Sequence, residues 1–157
     1  MRITLLTVGK TDVPWVKAGL DLYVSRLRHY VPFSLTELPA LKNVSALSQE
    51  QIKEREGALL LGALAPSDEL VLLDEHGVSL RSLDFARKIE ARFSRGGRDL
   101  VFAIGGAYGF SPAVHERADA EISLSPMTFP HQMVRTIFAE QLYRAFTILR
   151  GEPYHHE

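Results

Sequence analysis

Phe102-Ala103-Ile104-Gly105-Gly106-Ala107-Tyr108-Gly109-Phe110-Ser111 and Leu124-Ser125-Pro126-Met127-Thr128-Phe129-Pro130-His131 decide the reading of this chain. Each is an apolar strand pattern that runs out into a loop of small, polar or ring-constrained residues. Both lie in the last third, and a long helix pattern follows them. Open α/β sheets that bind a nucleotide in the usual way place the glycine loop after the first strand. Here it comes after the fourth of five expected strands. It is not the dinucleotide fingerprint: the third glycine is one residue early, and no acidic residue ends a following strand at the usual distance.

Upstream, strand and helix patterns alternate. Arg2 to Val8 is a short β-branched run ended by Gly9, read as a buried strand. Pro14 stands where a first helical residue is tolerated. Val16, Leu20, Tyr23, Val24 and Leu27 then recur at helical spacing, predicting a helix to about Tyr30. Phe33 to Leu38 is the second strand, and Ala40 to Ala46 a loop. Ser48-Gln49-Glu50-Gln51 has capping-box form and opens a helix to about Leu64. Glu69 to Asp74 is a near-continuous apolar strand, turned by Glu75-His76-Gly77. Leu83, Ala86, Ile89 and Phe93 mark a helix stopped by Gly96-Gly97. Asp99 to Ile104 is the fourth strand, Pro112 to Arg117 a short helix and Glu121 to Leu124 the fifth strand. Pro130 opens the last helix, to about Leu149. The pattern is that of an α/β fold with a mostly parallel sheet flanked by helices.

The totals agree. A chain of 157 residues, 46% hydrophobic and 24% charged, suits one domain with a proper core. The absence of cysteine excludes disulfides and thiolate metal sites and fits a reducing, cytoplasmic location. No run approaches membrane-spanning length, and Ile3 to Val8 is too short for a signal peptide. The net charge of −1 gives no global basic field, so a nucleic-acid partner has to be met by local patches or presented in a larger assembly.

Glycine at 105, 106 and 109 lets backbone amides approach a ligand closely, and equally suits a tight strand-to-helix turn. In the second loop, backbone groups suit an adenine edge while Leu124, Met127 and Phe129 enclose a ring. The six histidines lack the paired helical spacing of a zinc protease, so no metal is expected. No Gly-x-Ser-x-Gly elbow occurs. Arg135 and Arg144 are candidate anion contacts, with Glu140 placed to pair with Arg144 along the helix. The last helix is apolar over much more than the ~100° stripe of a surface helix, which favours a two-fold homodimer over burial within one chain.

Together, Leu72-Leu73-Asp74, Ile104-Gly105-Gly106, Leu124 through Arg135, Glu140-Gln141-Leu142-Tyr143-Arg144-Ala145 and Pro153-Tyr154-His155 resemble the RlmH family. These are small SPOUT-class methyltransferases acting on large-subunit ribosomal RNA, and the resemblance runs over nearly the whole chain. It implies a single domain over 1–157 and a C-terminal trefoil knot. It implies a homodimer, S-adenosyl-L-methionine as methyl donor and N3 of a pseudouridine as acceptor. It also implies cofactor contacts at Leu73, Gly105, Leu124, Ser125, Pro126, Met127, Thr128 and Phe129.

On this reading a uracil-type N3 proton has to leave, so the site needs a base or a way to stabilise the anion. Arg135 or Arg144 suits the charge, His155 the base, and Tyr154 stacking or hydrogen bonding to the target base. The near-neutral charge favours the assembled ribosome as substrate, with no membrane partner. Rival readings are a non-catalytic, ribosome-associated dimeric RNA-binding protein of the same fold and a nucleotide-binding oxidoreductase.

Overall fold

Five strands form one sheet in the computed structural model, which describes residues 1–156; Glu157, the last residue of the expected domain span, lies outside the described residues. The strands are β1 (Ile3–Val8), β2 (Phe33–Leu38), β3 (Glu69–Ser79), β4 (Leu100–Ile104) and β5 (Ala120–Ser123). Their order is β2-β1-β4-β3-β5, and every pairing is parallel. The helices are α1 (Pro14–Leu27), α2 (Gln49–Gly62), α3 (Ser82–Arg95), α4 (Pro112–Arg117) and α5 (His131–Leu149). The capping box at Ser48 forms as expected, with Ser48 accepting from the Gln51 amide and the Gln51 side chain accepting from the Ser48 amide.

A strand alternates its side chains between the two sheet faces, and both faces here are apolar. Ile3, Leu5, Val71, Leu73, Leu100, Phe102 and Ile104 meet α1, α3 and α5 on one face. Leu6, Val8, Leu70, Leu72, Val101 and Ala103 meet α2 and α4 on the other. Central β4 is buried throughout, which explains its unbroken apolar run.

The last helix packs against α1 on one side and α3 on the other. Phe138, Ala139, Leu142 and Ala145 are essentially inaccessible, and Phe138 lies against Phe102 with ring centroids 4.6 Å apart. Its own chain therefore covers most of the wide apolar arc, and that arc is weaker ground for a dimer than the sequence suggests. Met133, Val134, Ile137 and Ile148 keep partial exposure.

Two expectations are corrected. Glu75-His76-Gly77 does not end β3. Leu73 and Val78 both register with Ile122, so residues 74–77 form an excursion between two paired stretches of one strand. A Cβ on Gly77 would lie 2.7 Å from the Glu121 carbonyl carbon, so this passage over β5 needs a glycine.

The second correction concerns Arg135, expected at the catalytic centre. Its side chain is 1% exposed and faces the sheet end instead. Nη1 donates to the Gly9 carbonyl (2.9 Å), Thr11 Oγ1 (2.7 Å) and Glu37 Oε2 (3.1 Å), and Nη2 donates to the Val8 carbonyl (3.0 Å). Burial pulls the guanidinium pKa down, and Glu37 and Asp12 hold it up. Arg135 is a staple joining α5 to β1 and β2.

Removing one partner of a buried pair leaves an uncompensated charge. Arg135→Ala is expected to lower stability by about 3–5 kcal/mol in urea unfolding. Lys17→Ala, which removes an ion pair between two exposed side chains, is expected to leave the urea midpoint essentially unchanged.

Candidate active site

Parallel strands all point their carboxyl ends the same way, and the excursion in β3 and the loops leaving β4 and β5 line one cleft there. Its volume is about 620 Å³, within the range of about 300–1,000 Å³ common for small-molecule sites. Leu73, Gly105, Leu124, Ser125, Met127, Thr128 and Phe129 line it. Pro126 lies in the same loop but does not line the cleft.

Local chemistry shapes each wall. Gly109 takes φ +83°, a left-handed conformation that a side chain disfavours, and its amide closes the loop onto the Gly106 carbonyl at 3.1 Å. Ser125 Oγ accepts from the Met127 amide at 3.0 Å, turning the second loop so that Met127 is 73% exposed. The β3 excursion supplies the opposite rim. There Thr128 Oγ1 donates to Glu75 Oε2 at 2.8 Å, linking two loops 53 residues apart.

The excursion also adds lining residues that the sequence did not reveal: Asp74, Glu75 and His76, joined by His115 of α4 and Lys53 of α2. Asp74 accepts from the His76 amide (2.8 Å) and meets its Nδ1 (3.1 Å); His115 Nδ1 meets Glu121 at 2.7 Å. One ligand atom each from Asp74, His115 and Glu121 lies within 4.8 Å of the others, the group among the described residues with the composition to hold a metal. These contacts already give all three partners without a cation.

The remaining expected catalytic residues cluster elsewhere. Glu140 Oε1 accepts from Arg144 Nε (3.0 Å), Arg144 Nη2 (2.6 Å) and the Tyr154 hydroxyl (2.9 Å). The Arg144 guanidinium lies over the Tyr154 ring, 4.8 Å from its centroid. Arg144 Nη1 is 3.1 Å from His155 Nδ1. A guanidinium can only donate, so Nδ1 accepts and the ring proton sits on Nε2. In this arrangement Nδ1, the atom that would act as the expected base, is taken up by Arg144, and Nε2 is buried.

None of Arg144, Tyr154 and His155 lines the cleft of its own chain. His131 and Val134, at the start of α5, do. Ten residues of helix, about 15 Å, separate Val134 from Arg144. Glu140, the hub of the tail cluster, was visible only as a helical partner of Arg144.

A parallel sheet between helices, with a ligand-sized cleft made by loops at the ends of adjacent strands, defines an open α/β protein that holds a small ligand at its carboxyl edge. The family described as "Predicted SPOUT methyltransferase" matches residues 1–155, and the chain belongs to that family. Proteins named "Ribosomal RNA large subunit methyltransferase H" from Phocaeicola vulgatus and Parabacteroides distasonis are 52% and 51% identical to it. Each match spans 157 residues, 100% of both chains. A solved structure of a "probable methylase family protein" from Haemophilus influenzae Rd KW20 aligns with TM-score 0.50 at 9% identity. It covers 99% of this chain and 70% of that one, a likeness of fold alone.

The tail cluster has a spectroscopic signature. Burial, then hydrogen bonding to Tyr23 and Glu140, raises the Tyr154 phenol above its ordinary range. Burial and Glu152 (2.7 Å) raise Tyr30 to about 12. Ultraviolet titration is expected to show two late tyrosines, one of them lost in Tyr154→Phe. Their stabilising effect is present below the unfolded pKa of about 10 and is lost as pH rises through the folded values.

Proposed function

We propose that this protein transfers a methyl group from S-adenosyl-L-methionine to N3 of a pseudouridine in large-subunit ribosomal RNA, presented by the assembled ribosome. The observation that carries this reading is the cleft built from the β3 excursion and the loops after β4 and β5. Relatives about half identical over their full length are named as methyltransferases of large-subunit ribosomal RNA, which supports the coarser part of this reading. Cytoplasmic residence follows from that substrate, and among the described residues no helix is long and apolar enough to cross a membrane.

The cleft suits the cofactor by shape and chemistry. Leu124, Met127 and Phe129 offer apolar surface for adenine, and the backbone around Ser125–Thr128 offers its edge donors and acceptors. Leu73 and Gly105 form the floor, with Pro126 constraining the loop. When bound there, the cofactor supplies an activated methyl carbon.

The chain's own residues supply orientation and charge. Arg144, held by Glu140 and by Nδ1 of His155, stabilises negative charge developing on the ring carbonyls. That stabilisation lets the N3 proton leave to water as the new N–C bond forms; the donor's sulfur–methyl bond would break in the same step, its electron pair staying on sulfur. Tyr154, held by Glu140, presents its ring to the target base. Arg135 takes no part, being buried in its staple. Transfer to nitrogen needs no metal.

We propose that two copies act together; in support, the tail cluster does not line the cleft of its own chain. In a two-fold dimer the tail of one protomer meets the cleft of the other. Exposed Trp15, Leu22 and Met127 and the half-exposed face of α5 supply apolar surface for such contacts. We further propose a single domain over 1–157 whose last third is threaded as a trefoil knot. Its support is the path from edge strand β5 back to α5, which lies between α1 and α3.

Mass mapping of ribosomal RNA from cells lacking this protein is expected to show one methyl missing from a large-subunit pseudouridine. Transfer assays are expected to favour ribosomes over naked RNA; the reverse order would contradict the assembled substrate, and no transfer to either would favour the non-catalytic dimer. For completion across the dimer, Gly105→Trp blocks the cleft and Arg144→Ala disables the tail. Each variant alone should be inactive. Equal mixing should restore roughly a quarter of wild-type activity, since half of random dimers pair the two variants and hold one intact site.

A further inference from the structure

Glu56, on α2, is a partly buried acid that the proposed chemistry does not use. Its carboxyl lodges against the glycine loop: a Cβ on Gly106 would lie 2.5 Å from Oε1 and 2.7 Å from Oε2. Gly106 lines the cleft. Oε1 is buried and makes no hydrogen bond among the described residues. Burial raises the pKa of this carboxyl above its ordinary value. A buried acid oxygen without a partner is costly to keep, so its retention calls for a physical reason.

The other charges around the cleft are already engaged. Asp74 is bonded to His76, Glu75 to Thr128, and Lys53 is paired with Glu50 at 3.2 Å. His115 is paired with Glu121. Glu56, behind Gly106, is thus the acid near the cleft with a buried oxygen that no hydrogen bond satisfies, and a cationic ligand would offset its charge.

We infer that Glu56 is a specificity residue, making the cleft prefer a cationic sulfonium ligand over the neutral thioether that remains after methyl transfer. The inference rests on the cofactor reading above and goes beyond it, for it concerns how substrate and product forms of one ligand are told apart. The two share an adenosyl group and an amino-acid tail, so shape alone separates them weakly. They differ by one positive charge. A carboxylate packed behind the glycine loop of the cleft responds to that charge more than to the shape the two ligands share. Its pull is lost once the methyl has gone, which favours exchange of product for fresh donor.

Calorimetric affinities for S-adenosylmethionine and S-adenosylhomocysteine test this with the full-length dimer, Glu56→Gln and Glu56→Met. Glu56→Met keeps volume and removes the orphan oxygen, so it remains informative should the amide of Glu56→Gln fold poorly. Wild type is expected to bind both ligands. Both variants should lose about tenfold in preference for the sulfonium, the size expected of a unit charge roughly 10 Å away at an effective dielectric of about 20. That loss should appear in the affinity for the sulfonium, with product affinity nearly unchanged. An unchanged affinity ratio in the folded variants, or equal weakening of both ligands, overturns the role of Glu56 alone. Failure of wild type to bind either ligand overturns the cofactor reading and this one together.

Discussion

The guanidinium of Arg135 fixes the position of the element on which both halves of the site depend. Four hydrogen bonds join it to the backbone at the end of β1, to Thr11 and to Glu37. Glu37 in turn accepts from both the amide and the hydroxyl of Thr11 at 2.6 Å. A buried cation is tolerated only where geometry satisfies it from several sides. Here that geometry sets the register of α5 against the sheet. One end of α5 then supplies His131 and Val134 to the cleft wall, and the other carries Glu140 and Arg144 to the tail cluster. Gln132 adds a second tie at the same end, accepting from the Asp12 and Val13 amides.

Much of this architecture was legible in the residues. Runs such as Leu70 to Leu73 and Val101 to Ile104 are apolar at every position because both sheet faces are covered. The Ser48 capping box and Pro14 mark their helices correctly. The loops of the cleft were legible for a related reason, since strand-to-loop transitions at adjacent strands lie side by side in a parallel sheet. Seven of the eight expected cofactor positions line the cleft, and Pro126 does not.

What escaped the sequence depended on long-range pairing. Gly77 reads as a turn residue, yet it is needed because β3 continues close over β5. That continuation carries Asp74, Glu75 and His76 to the cleft rim, and no local pattern reveals it. Arg135 and Arg144 sit nine positions apart on one helix with similar neighbours. One is sealed against Glu37, 98 residues away, and the other opens toward the tail. Gly106 was read as making room for a ligand; the atoms that fill the space of its absent side chain belong to Glu56. The loop is therefore shaped by a neighbouring helix as well as by what it encloses.

The central place of α5 among the helices also governs how the molecule can be made. Its staple reaches residues 124 to 127 positions upstream, so these ties close only once residue 135 is free to meet the end of β1. Until then Phe102, Phe85 and the adjoining apolar face of the sheet lack their cover. Contacts this distant in sequence slow folding, because a large loop must be ordered before they contribute. Docking of α5 thus completes the cleft wall and positions the tail cluster in one late event of folding.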